Sequence, residues 1–171
     1  MIYSVGGIEM VSKKHIIIGS IVFLLFASTL LIIYEKMSPQ RELNNFSKLI
    51  ESENFDDLSL TIYYLNAFTQ FPLSVEDLKS YPSTVKVTIN GDQLAEHIDL
   101  LNTISNVELI PVKNKSRIEA RVYYVFKNKG IKIFDVAMWG NGDDDNSIYI
   151  NGKEFKENDI LINVISPFLP K

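Results

Sequence analysis

The chain has 171 residues, with 17 Lys and Arg against 21 Asp and Glu, a formal charge of −4, two histidines and no cysteine. That length suits one domain of ordinary size, and the acidic balance excludes a basic nucleic-acid footprint. The missing cysteines exclude disulfides, thiolate-held zinc, iron–sulfur clusters, thiol catalysis and a cysteine-linked lipid anchor.

In chain order, residues 1–15 read as a short cytoplasmic tail. Translation from Met10 is one reading of its start, because Gly6 and Gly7 fall where a ribosome-binding site would be encoded. Ile16 to Tyr34 follows as 19 residues without a charge, 15 of them apolar. As a helix it would rise about 28 Å, close to the hydrocarbon thickness of a bilayer. The alternative is a buried core helix, but an apolar surface all round is unusual in a chain this small. The run exceeds the apolar region of a cleaved signal, and Leu30 to Tyr34 continue past the nearest small-residue site, Ala27-Ser28-Thr29. The expectation is therefore an uncleaved transmembrane anchor with ends at Ile16 and Tyr34. Lys13 and Lys14 precede it and all the folded mass follows it, so we expect the N-terminus inside and residues 38–171 outside.

Ser38-Pro39 is a helix-start signal, and Leu43, Phe46, Leu49 and Ile50 extend it as an amphipathic helix to Ser52. Leu58 to Leu65 alternates and reads as a strand. Ser74 caps a short helix that stops near Tyr81, before Pro82. Thr84 to Ile89 is a second strand, and Gln93 to Ile104 a helix with Leu94, Ile98, Leu101 and Ile104 on one stripe. Val107 to Val112 reads as a short or edge strand because of Pro111. Arg117 to Phe126 and Ile131 to Trp139 flank a three-residue loop, Asn128-Lys129-Gly130. Ser147 to Ile150, the Asn151-Gly152 turn and Lys153 to Phe155 form a second hairpin. For Ile160 to Ile165, strand and helix patterns are equally matched. The order predicts an α+β domain, with two to three helices packed on one face of a mostly antiparallel sheet.

No nucleophilic triad and no phosphate loop are visible. His97 lies in Glu96-His97-Ile98-Asp99. A base oriented by a carboxylate is one reading; a solvated helix face is favoured, because adjacent helix positions do not face each other. Asn141, Asp143 and Asp145 have the i, i+2, i+4 spacing of a calcium loop. The match then fails, with Asn146 where the loop needs glycine and Gly152 where it needs a bidentate Glu, so no metal site and no cofactor are expected.

Pairing Lys127 with Ile131 across a three-residue loop sets Tyr123 opposite Asp135, Arg121 opposite Ala137 and Glu119 opposite Trp139. Ala120, Val122, Tyr124 and Phe126, with Phe134, Val136 and Met138, then make a core face. The other face carries Arg117, Glu119, Arg121, Tyr123, Asp135 and Trp139. Those residue types are enriched at interaction hot spots, so Arg117, Arg121, Tyr123, Asp135 and Trp139 form a candidate binding face. The competing reading, a structural cross-strand ion pair beside apolar neighbours, is the favoured one.

The strands Arg117 to Phe126 and Lys132 to Gly140, the Ile150-Asn151-Gly152 turn and the Pro167-Phe168-Leu169-Pro170 ending resemble uncharacterised single-pass, membrane-anchored extracytoplasmic proteins of low-GC Gram-positive bacteria. The scarcity of Arg, at positions 41, 117 and 121 alone, fits such a source. The resemblance implies no activity. The expectation is a non-catalytic module of the cell membrane, with lipid and a protein or envelope component as partners and no nucleic acid. The alternatives are a carboxylate-based cell-wall hydrolase and a weak calcium- or ligand-binding module.

Overall fold

Proline has no N–H to lose in the first turn of a helix, and the folded domain begins on that economy. In the computed structural model, α2 runs Pro39–Glu51 from Pro39 itself. The structure describes residues 15, 17–29, 38–67, 69–112, 119–139 and 147–169. The chain divides into two compact units, Met1–Ser38 and Pro39–Lys171.

In the first unit, residues 17–29 are helical (α1). Ile17, Ile18, Ile21, Val22, Phe23, Leu24, Leu25 and Phe26 are all exposed, at 52–70%. The hydroxyls of Ser28 and Thr29 donate to carbonyls of their own helix, at 2.8 Å to Leu25 O and 2.8 Å to Phe26 O. Among the described residues, no helix is both long and apolar enough to cross a membrane. The expected span ends, Ile16 and Tyr34, lie outside the described residues, as do residues 30–33 between them.

In the second unit, the described residues form one six-stranded antiparallel sheet: β1 (Leu58–Tyr64), β2 (Val85–Asn90), β3 (Val122–Asn128), β4 (Ile131–Met138), β5 (Ser147–Ile150) and β6 (Lys153–Lys156). The spatial order is β2-β1-β3-β4-β5-β6. Between the strands lie α3 (Val75–Ser80), α4 (Gly91–Ala95), α5 (Ile98–Asn102) and, after β6, α6 (Asp159–Asn163). The fold is α+β with an antiparallel sheet, as the element order predicted.

One face of the sheet meets α2, α4, α5 and α6. Leu43, Phe46 and Ile50 of α2, with Leu94, Leu101 and Leu161, bury Leu60, Ile62, Tyr124, Phe126, Phe134, Val136 and Ile150. Phe46 sits at the centre, 4.5 Å from the Phe126 ring and 5.3 Å from the Phe134 ring. The Tyr124 hydroxyl is fully enclosed and donates to Leu161 O at 2.9 Å, which ties α6 to the sheet. The other face carries a smaller cluster of Leu65, Leu73, Leu78, Ala120, Tyr123, Val125, Ala137 and Tyr149. Leu78 comes from α3, so the helices do not all lie on one face; this corrects the expected one-sided arrangement. Ala120 also falls in this second cluster rather than the main core, because the chain bends at Arg121 before β3 begins.

Three local expectations change. The helix expected over 93–104 breaks into α4, α5 and a 3₁₀ turn, Thr103–Asn106. His97 takes φ −118° at the break, yet Leu94, Leu101 and Ile104 are all buried, so the apolar stripe survives. Val107 to Val112 makes a single bridge, Pro111 to Phe155, rather than a strand. Its backbone is held by Lys156 N–H on Ile110 O (2.9 Å) and by the Gln40 amide, which donates to Val107 O (2.9 Å) and accepts from Leu109 N (3.1 Å). The segment thus covers the outer edge of β6. The stretch 160–165 resolves as helix only to Asn163, with Asn158 capping α6 by accepting from Ile160 N at 3.0 Å, and ends in a turn.

The β3–β4 register differs from the expected one by two positions. Asn128 pairs with Ile131, so the loop is two residues, Lys129 and Gly130, both at positive φ (52° and 75°). A bulge then passes over Ile133, so that Lys127 pairs with Lys132 but Phe126 with Phe134. Each event slips the register by one residue. Together they restore the parity, and the strand residues Val122, Tyr124, Phe126, Phe134, Val136 and Met138 still share the core face.

Candidate functional site

The sequence singles out the non-core face of β3 and β4, and its residues separate into two groups in the structure. Tyr123 lies opposite Ala137, and Asp135 opposite Val125, not opposite each other. Arg121 follows just outside the Val122–Met138 pair, with its N–H on Met138 O (3.0 Å) and its carbonyl accepting from Leu65 N (2.9 Å). These bonds fix its backbone between β1 and β4.

The first group is Glu119, Arg121 and Trp139. Arg121 Nη2 donates to Glu119 Oε1, two residues back in the chain, at 3.2 Å. The Arg121 guanidinium carbon lies 4.7 Å from the centre of the Trp139 ring, a cation–π contact. Arg121 is only 5% exposed. Among the described residues, its Nη1 is buried without a hydrogen-bond partner.

The second group is centred on Tyr123. Burial, and then the neighbouring Asp135 carboxylate that accepts its hydrogen bond, push the Tyr123 hydroxyl well above the ordinary tyrosine value, so it stays protonated and donating. Asp135 is paired with Lys132 at 2.6 Å. Lys79 Nζ sits 4.5 Å from the Tyr123 ring centre, and Lys86 Nζ 5.6 Å from that of Tyr63. The two tyrosine rings are 5.9 Å apart. One cross-strand row therefore runs Lys86, Tyr63, Tyr123, Ala137, Tyr149, Glu154 over the whole sheet. Tyr123 is 7% exposed and belongs to the second apolar cluster.

Sequence reasoning missed a third polar group. Glu42 on α2 accepts a hydrogen bond from the Asn151 side chain, whose oxygen accepts from Asp135 N at 3.0 Å. Burial is the largest influence on Glu42 and holds its carboxyl above the ordinary glutamate range; Lys132 opposes this, Asp135 adds to it, and Lys153 and the Asn151 hydrogen bond oppose it. No signal in the sequence joins these residues, since Glu42 reads only as the polar face of a helix.

Arg117 lies outside the described residues, as do Asn141, Asp143 and Asp145 of the acidic loop. Among the described residues, no group of three or more His, Asp or Glu side chains is placed to hold a metal ion. His97 is half-buried, with its ring 4.9 Å from Phe168 in an edge-on contact, rather than on a solvated face. The arrangement offers recognition groups, an oriented guanidinium and an indole, on a rigid sheet. Comparison with protein-family models, curated proteins and solved structures finds no match to this chain.

Proposed function

We propose that this chain is a single-pass membrane protein, anchored by Ile16 to Tyr34, whose domain 38–171 lies outside the cytoplasm and acts without catalysing a reaction, by contacts with a protein or envelope component. The kinship with single-pass proteins of low-GC Gram-positive bacteria is part of the same proposal. The observation that carries the reading is the apolar helix α1, with eight large hydrophobic side chains exposed at 52–70% and two hydroxyls satisfied within the helix. Water penalises such a surface, whereas a bilayer favours it and demands internally satisfied polar groups. The uncharged run in the sequence continues on both sides of it. Arg121 and Trp139 support the recognition role, since both residue types concentrate binding energy when desolvated.

The test is alkaline extraction of membranes from cells expressing the full chain. The chain is expected in the membrane pellet. The double variant Leu24→Arg, Leu25→Arg is expected in the soluble fraction, because each charge costs about 3 kcal/mol at the centre of a spanning helix. A parent chain released by alkali sinks the reading.

A further inference from the structure

Among the described residues, Arg121 Nη1 is the buried side-chain polar atom that lacks a hydrogen-bond partner. An unpaired donor on a buried cation is costly, so its retention calls for an acceptor that arrives from elsewhere. Among the described residues its anionic partner is Glu119, which meets Nη2 at 3.2 Å, longer than the 2.7–2.9 Å of a strong charge-assisted bond. Glu119 is also the more exposed member: its side chain is 36% exposed against 7% for Arg121. The guanidinium is backed by the Trp139 ring at 4.7 Å and its backbone is pinned on both sides, so the fork is presented in a fixed orientation.

We propose that Arg121 is a receptor for a monocarboxylate group of a ligand, which displaces Glu119 and pairs with the guanidinium fork alongside the Trp139 ring. A carboxylate is planar and matches the fork with two parallel bonds. A tetrahedral phosphate puts oxygens out of that plane and brings a second negative charge. The exchange of one carboxylate for another leaves the charge of the site unchanged and frees Nη2 from Glu119. This inference rests on the recognition role proposed above and names the chemistry recognised there.

Trp139 is the only tryptophan in the chain, so its fluorescence reports this site alone. The full chain in detergent is titrated with N-acetylglycine, using N-acetylglycinamide and inorganic phosphate as controls. The expected result is a saturable change with N-acetylglycine and none with either control. Glu119→Gln removes the internal competitor and should tighten binding roughly tenfold. Arg121→Lys keeps the charge, loses the fork and should abolish the response. No saturable change in either the parent or Glu119→Gln overturns the proposal, as does an equal response to the amide or to phosphate. A parent that captures a partner from membranes but does not respond to N-acetylglycine keeps the recognition role and overturns the carboxylate assignment.

Discussion

Asn151 does two things that few residues do together. It holds φ 49° at the first position of the β5–β6 turn, and its amide donates to Glu42 while accepting from Asp135 N. Its partner Glu42 has a folded-state pKa raised by burial. The native state therefore keeps the Glu42 proton at pH values where the unfolded chain has lost it. The Glu42 contribution is fully present below the ordinary glutamate value and is lost as pH rises through the raised one. Glu42→Gln keeps an acceptor for Asn151 and removes the ionisation. We predict that its melting temperature exceeds that of the parent above this window and that the two converge below it, in melts recorded across the acid range. A difference independent of pH would contradict the assignment. Nothing in the sequence pointed to this pair, because Glu42 and Asn151 lie 109 positions apart. Alternation put Arg121 and Trp139 on one face in the sequence, and the structure brings them together just beyond the ends of β3 and β4, past a bend at Arg121 that alternation did not show.

At the scale of elements, strand faces were readable and strand register was not. Alternation assigns faces modulo two, and the two-residue turn and the β4 bulge each shift the pairing by one. Both events are local backbone choices, and Lys-Gly is not the dipeptide that announces a two-residue hairpin. The β5–β6 hairpin, turned by Asn151-Gly152, shows the dipeptide that does. Lys129 holds φ 52°, which costs a lysine more than an asparagine. Lys129→Asn should accordingly stabilise the chain by about 0.5–1 kcal/mol, read as a higher denaturant midpoint at unchanged slope. The substitution sacrifices an exposed ion pair with Asp57 at 3.7 Å, a contact of small value. A lowered midpoint would show that the left-handed position is not strained. The broken α4–α5 helix has the same lesson: its apolar stripe was legible because burial conserves it, whereas the break at His97 left no mark in the spacing.

At the scale of the molecule, the element order was enough for the α+β class, since long periodic helices and alternating strands each declare themselves. The second apolar cluster escaped notice because it is assembled from a six-residue helix, loop leucines at 65 and 73, and the tyrosines of the strands, none of which forms a run. The first unit is the opposite case, a helix whose large apolar residues form an uninterrupted run and are exposed. The central claim is that this helix divides an inner tail from an outer domain. The chain has no cysteine, so single introduced cysteines give an unambiguous topology. Ile131, 74% exposed beside the β3–β4 turn, and Ser12 in the tail are the two positions. In intact cells, a membrane-impermeant maleimide should label the Ile131→Cys chain at once and the Ser12→Cys chain only after permeabilisation. Labelling of both only after permeabilisation, or the reverse order, would contradict the account.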